Sequence, residues 1–222
     1  MILYNDFCDT APDIRINLLN NDLDFDTIRK EYEENKVVII DNILNVDVAR
    51  DLQQYMLNRN EFNFSHGNGY EGWDSPCEEL TYPIALQLQQ KLGFDEYNRS
   101  WSFIYDNISL GVGAHADPSS TNVNIWVTPN ESMMLDPDHN GLIVYPITPP
   151  KDWTWDQYNA ELYSCKNYIE SVNVEPIVSE YKFNRATVFD SMFIHESQPV
   201  RAKQGHHNKR ISYTWLFGEE RE

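Results

Sequence analysis

Cysteine, positive charge and long apolar runs are all scarce in this chain, and each scarcity excludes something. The three cysteines, Cys8, Cys77 and Cys165, are odd in number and far apart, in none of the paired spacings of disulfide or zinc frameworks, so a reduced setting is expected. Lys and Arg total 17 against 35 Asp and Glu, a formal net charge of -18. Such a field repels phosphate and excludes a general nucleic-acid or anionic-membrane binder. No window approaches the run of about 18 apolar residues that a membrane span needs. The opening MILYNDFCDT has neither a basic stretch nor an apolar run, so secretion is not expected and a cytoplasmic location is. No repeat and no Gly/Ser linker interrupts the 222 residues, and one domain over 1–222 is expected.

What is present is material for a core: 41% of residues are hydrophobic and 13% aromatic, too much to leave disordered. Up to about residue 100 the texture is mostly helical. Residues 24–34 place Phe25, Ile28 and Tyr32 on one face, and residues 47–58 do the same with Val48, Leu52, Tyr55 and Met56. Between them KVVIID (36–41) reads as a short buried strand. A third helix is expected over ELTYPIALQLQQKL, with Pro83 in its first turns and Gly93 ending it. From Trp101 to about 218 the texture turns to β. Short strands are expected in WSFIYDNISL, NVNIWVT, GLIVYP, VNVEPIVSEY, RATVFD and RISYTWLF, with turn-forming residues between them. Many short strands without interleaved helices point to an antiparallel sandwich or jelly roll. Segments 61–78 and 148–170 are aromatic-rich, fit neither texture, and read as irregular lids or binding loops.

The chemistry starts at Gly113-Ala114-His115-Ala116-Asp117. In extended backbone, residues i and i+2 point the same way, so the His115 imidazole and the Asp117 carboxylate can reach one metal ion. Alone the triplet is weak and fits a polar turn better than a ligand pair. Its weight rises with the distant RATVFDSMFIHESQPVRAKQGHHNKRISYTWLF, where His195 ends an apolar run and Arg210 opens a strand. Two His and one carboxylate leave about three coordination positions free, which suits non-haem iron(II) with an oxidisable co-substrate and dioxygen. A zinc hydrolase could use the same three ligands, and a cupin-like binding protein without oxygenase activity is a further alternative. In RISYTWLF, Arg210, Ser212 and Thr214 share one face and Ile211, Tyr213 and Trp215 the other. A guanidinium fork beside a hydroxyl makes a receptor for a carboxylate. Arg201, Lys203, Lys209 and Arg210 also reverse the acidity locally, which is where a dicarboxylate is expected to sit.

With these residues in order, the chain resembles the iron(II)- and 2-oxoglutarate-dependent dioxygenases, in particular their phytanoyl-CoA dioxygenase-like branch. The likeness rests on H-x-D (His115, Asp117), the distal His195, the downstream Arg-x-Ser (Arg210, Ser212), and flanks such as EYEENKVVIIDNILNVDVARDL and NVNIWVTPNE. The resemblance implies a double-stranded β-helix with iron held by His115, Asp117 and His195. It also implies 2-oxoglutarate on the iron with its far carboxylate on Arg210 and Ser212, and Trp126 lining the co-substrate pocket, a role that competes with plain core packing. The implied reaction hydroxylates a C–H bond of a small molecule with release of succinate and carbon dioxide. Asp117, in place of the small residue of related halogenases, favours hydroxylation over halogenation. The sequence does not set the oligomeric state. Asp136, Asp138, Asn140 and Gly141 imitate an EF-hand start but lack its twelfth-position Glu, and read as a turn.

Overall fold

The computed structural model describes residues 17–60, 62, 64–67, 69–74, 80–160 and 163–219, so Cys8, Cys77 and parts of segment 61–78 lie outside the described residues. Two β layers face each other. The larger is a seven-stranded antiparallel sheet: β1 (Val37–Asp41), β9 (Arg185–Asp190), β6 (Thr121–Trp126), β12 (Ile211–Phe217), β4 (Tyr97–Tyr105), β3 (Tyr70–Asp74) and β2 (Phe64–His66), in that order. The smaller pairs β10 (Ile194–Ser197) with β7 (Leu142–Tyr145) and β7 with β8 (Ile177–Ser179). It continues where β11 (Val200–Arg201) pairs with β5 (Ile108–Ser109) and where His115 bridges His195. The architecture is mainly β with a few helices, a jelly roll as the sequence predicts.

Three helices cover the outer face of the large sheet, and their ends follow from local chemistry. Helix α1 (Phe25–Asn35) starts where the Asp24 carboxylate accepts from the Thr27 amide at 3.1 Å. Helix α2 (Val46–Leu57) starts at Asn45, and α3 (Thr81–Leu92) stops at Gly93 with φ of 69°, a conformation open to glycine. Pro83 sits in the first turn of α3, where its missing N–H costs no helical bond. The sheet reaches into this cover: Trp215 Nε1 donates to the Thr81 carbonyl at 3.0 Å and Tyr213 Oη to that of Leu52 at 2.9 Å. Each large apolar side chain so withdrawn from water is worth about 1.5–3 kcal/mol.

Strand β12 is buried at every residue because both of its faces are covered. Ile211, Tyr213, Trp215 and Phe217 belong to the core under the helices, while Arg210, Ser212, Thr214 and Leu216 line the space between the layers. That alternation is the one the sequence predicts, and it gives the inner face its polar character.

Three expectations change. Segment 61–78 contributes β2 and β3 to the large sheet, so it is not wholly irregular. Segment 148–170 forms a π-helical turn at Asp156–Ala160 and helix α4 (Ser164–Val172), whose Cys165 is fully buried. The strand expected over VNVEPIVSEY shrinks to β8, because Val172 still belongs to α4 and Asn173 turns the chain with φ of 53°. No helix among the described residues is long and apolar enough to cross a membrane.

Candidate metal centre

His115 and His195 stand opposite each other across the smaller layer. The His115 amide donates to the His195 carbonyl at 3.0 Å and the His195 amide to that of His115 at 2.8 Å. The same device fixes both rings. His115 Nδ1 lies 2.7 Å from the Gly113 carbonyl oxygen, and His195 Nδ1 lies 2.9 Å from that of Phe193. A carbonyl only accepts, so each Nδ1 carries a proton, and Nε2 is the atom that each ring can offer to a metal ion.

Both Nε2 atoms face Asp117. His115 Nε2 is 3.8 Å from Asp117 Oδ1, and His195 Nε2 is 3.4 Å from Oδ2. The ligating atoms of all three residues lie within 4.8 Å of one another. Atoms each about 2 Å from one ion stand roughly 3–4 Å apart, so the trio has the reach of a three-ligand facial site. Burial pushes the Asp117 carboxyl up, but the bond to His195, the two imidazoles and Asn159 together outweigh it, and the group is held below its usual range. Burial, then the neighbouring His195, lowers the His115 pKa, which keeps its Nε2 unprotonated.

Asp117 is also held by two amides that the sequence reading passed over. Asn122 Nδ2 donates to Oδ2 at 3.0 Å and Asn159 Nδ2 to Oδ1 at 3.4 Å. The Asn122 signal was available, since Asn122, Asn124 and Trp126 alternate along one strand. Nothing in the sequence brings Asn159 near residue 117.

Beyond the trio a cavity of about 880 Å³ extends along the inner face of the large sheet. One end of it is built around Arg210, which is 1% exposed. Its guanidinium carbon sits 4.6 Å from the Tyr105 ring centroid and 5.5 Å from that of Trp126. Arg210 Nε and Nη1 and the neighbouring Ser212 Oγ are buried without a hydrogen-bond partner, and no ion pair reaches Arg210 among the described residues. An unpaired buried guanidinium costs several kcal/mol, so this end is shaped for an anion that brings its own acceptors. Of the four basic residues expected to reverse the local charge, only Arg210 faces inward. Lys209 pairs with Asp106 at 2.9 Å, and Arg201 and Lys203 are exposed. Trp126 is fully buried beside this cradle, paired across the sheet with Ser212 and with its ring 5.2 Å from that of Tyr181.

At the mouth, Arg99 Nη2 is 2.5 Å from Asp74 Oδ2, with Trp101 on the same strand face and Trp155 reaching in from segment 148–170.

No protein-family model and no curated protein sequence matches the chain. Solved structures do match in fold. The non-heme alpha ketoglutarate dependent epimerase SnoN of nogalamycin biosynthesis superposes with a TM-score of 0.61 at 10% identity, over 89% of this chain and 85% of its own. A Pseudomonas putida prolyl-4-hydroxylase gives 0.56 at 14%, over 89% and 99%. HygX from Streptomyces hygroscopicus, solved with nickel and 2-oxoglutarate, gives 0.54 at 6%, over 85% and 85%. At these identities the likeness establishes the jelly-roll fold.

Proposed function

We propose that this chain is a non-haem iron(II)- and 2-oxoglutarate-dependent oxygenase that hydroxylates a C–H bond of a small molecule, with the two layers forming a double-stranded β-helix. The observation that carries the reading is one cavity with a His/Asp/His trio on its wall and, at one end, a buried guanidinium and hydroxyl whose Nε, Nη1 and Oγ have no partner. A trio alone would suit a hydrolytic zinc ion as well. The orphaned Arg210 and Ser212 favour the oxygenase, because a dicarboxylate that chelates a metal at one end needs such a cradle at the other.

In this reading His115 and His195 offer Nε2 and Asp117 one carboxylate oxygen to the metal, leaving about three positions for exchangeable ligands. Iron(II) with 2-oxoglutarate and dioxygen supplies the oxidant for a C–H bond, and the co-substrate leaves as succinate and carbon dioxide. The chain orients and shields. The carbonyls of Gly113 and Phe193 hold the imidazoles in one tautomer, Asn122 and Asn159 hold the carboxylate, and Arg210 with Ser212 binds the far carboxylate of 2-oxoglutarate. Trp126 backs that guanidinium.

The substrate lies toward the mouth. Arg99 and Asn122 both pair across Leu216, so Arg99 stands two strands from the residue that holds Asp117, roughly 10 Å away. A substrate with its reacting carbon at the metal therefore places a polar group on the Arg99–Asp74 pair and an apolar face on Trp101 or Trp155. Two proteins of this fold are solved with small molecules, SnoN with nogalamycin RO and HygX with hygromycin B, which supports a small-molecule substrate here. We place the chain in the cytoplasm, where thiols such as buried Cys165 stay reduced.

The test is equilibrium binding of 2-oxoglutarate to manganese-loaded protein. Wild type should retain it, Arg210→Ala should lose it while keeping the metal, and His115→Ala should lose both. Unchanged 2-oxoglutarate binding in Arg210→Ala would overturn the assignment of the cradle.

A further inference from the structure

Segment 148–172 does not hang free over the cavity. It is fastened to the H-x-D triplet from the side. The Ala116 amide donates to the Tyr158 carbonyl at 3.0 Å, and Asn159 Nδ2 returns a bond to the Ala116 carbonyl at 2.7 Å. Ala116, Tyr158, Cys165 and Ile194 form a small buried cluster with Trp153, Tyr168 and Ile169 packed against it. Cys165 Sγ also donates to the Tyr158 carbonyl at 3.4 Å. The segment therefore grips the one residue that lies between His115 and Asp117.

The same Asn159 amide also reaches Asp117 Oδ1 at 3.4 Å. Its orientation is not ambiguous: a carbonyl and a carboxylate both only accept, so the NH2 group must face them. Asn159 is carried on the π-helical turn Asp156–Ala160, a geometry that widens the helix and turns its side chains off the ordinary register. Trp155, beside the same turn, and Ala160, on it, line the cavity. One short turn thus contacts both the substrate side and the carboxylate.

We propose that Asn159 is a positioning residue for the metal ligand Asp117, and that through it segment 148–172 is part of the metal site. The inference rests on the oxygenase reading above, and specifically on Asp117 being a ligand. Asn159 holds Oδ1 and Asn122 holds Oδ2, so the carboxylate cannot rotate away from this orientation unless one amide lets go. Moving the turn, as substrate would by pressing on Trp155, changes the grip on the ligand. Removing a partner of this kind weakens a metal site by about 10- to 100-fold.

The test uses Asn159→Ala and Asn159→Leu, the second keeping the side chain's branching and bulk so that a fold defect in the first does not decide the matter. Nickel(II) affinity is measured by competition with a chromophoric chelator, and cleavage within 148–172 by limited proteolysis with and without nickel. Wild type should bind nickel, and nickel should slow cleavage. Both variants should bind at least 10-fold more weakly, with cleavage that no longer responds to the metal. A merely structural role would raise cleavage in both states and leave the nickel dissociation constant within twofold of wild type, which would overturn the inference. If wild type itself binds no nickel, the oxygenase reading falls and the inference with it.

Discussion

His115 and His195 exchange both backbone hydrogen bonds, at 3.0 and 2.8 Å, and this mutual pair sets their rings 4.3 Å apart, centroid to centroid. The register of that pair is enforced two residues beyond, where the Ser197 amide donates to the Val112 carbonyl at 3.0 Å and the Val112 amide to Ser197 Oγ at 2.6 Å. Next to it Gly111 lies at φ 79° with no room for a side chain: a Cβ there would stand 2.6 Å from Ser197 Oγ and 2.8 Å from two backbone oxygens.

Gly111→Ala should therefore lose about 2–4 kcal/mol in urea denaturation and also weaken metal binding, because the strand carrying His115 must move away from the strand carrying His195. Gly113→Ala, two residues nearer the ligand, meets nothing within 4 Å and should stay within about 0.5 kcal/mol of wild type. Equal stability of the two variants would show that the close approach at Gly111 does not hold the pair.

Arg210→Met should bind 2-oxoglutarate about 100-fold more weakly, from the loss of a charge-assisted, two-pronged contact. In the absence of the co-substrate the variant should be as stable as wild type or more so, since it removes a buried charge whose Nε and Nη1 have no partner. Thermal melts without 2-oxoglutarate measure this. A loss of more than about 2 kcal/mol would mean that Arg210 is a structural residue.

Trp215→Phe should cost about 2–4 kcal/mol in chemical denaturation. It leaves the Thr81 carbonyl without its 3.0 Å donor in a fully buried site and opens a void under α3. A change below about 0.5 kcal/mol would show that the helix layer repacks freely over the sheet.

At the sheet edge, Arg185 and then Lys182 hold the Asp41 carboxyl below its ordinary value, each at 2.6 Å. A depressed folded-state pKa contributes stability above the unfolded value of about 3.9 and loses it as pH falls through the folded one. Wild type should thus exceed Asp41→Asn in melting temperature at neutral pH by a margin that shrinks below about pH 4. The carboxylate is 37% exposed, so the margin amounts to under about 1 kcal/mol. A margin that persists unchanged at pH 3 would exclude this pairing as its source.

Much of this was legible in the chain because it is local. Two-residue alternation in RISYTWLF separates Arg210 and Ser212 from Tyr213 and Trp215, and Asp24, Asn45 and Gly93 mark helix ends by their own side-chain and backbone chemistry. The His115, Asp117 and His195 positions could be singled out by type and order, and they come together as the reading required. What was not legible depends on distant partners. Strands β2 and β3 are short and mix aromatic with polar residues, and they are added to the sheet by pairing, β3 on the edge of β4 and β2 on β3. Helix α4 is fixed by Cys165 and Ile169 packing near Ala116 and Ile194, which no local pattern announces. Asn159 reaches Asp117 across 42 positions, and Arg99 meets Asp74 across 25, so neither contact has a signature along the chain.

The most direct measurement of the central claim is anaerobic addition of iron(II) and 2-oxoglutarate to the purified protein, followed by admission of air. Wild type should develop a weak visible charge-transfer band that bleaches in air with formation of succinate, and His115→Ala should show neither. Absence of the band in wild type, together with no succinate after aeration, would contradict the oxygenase assignment.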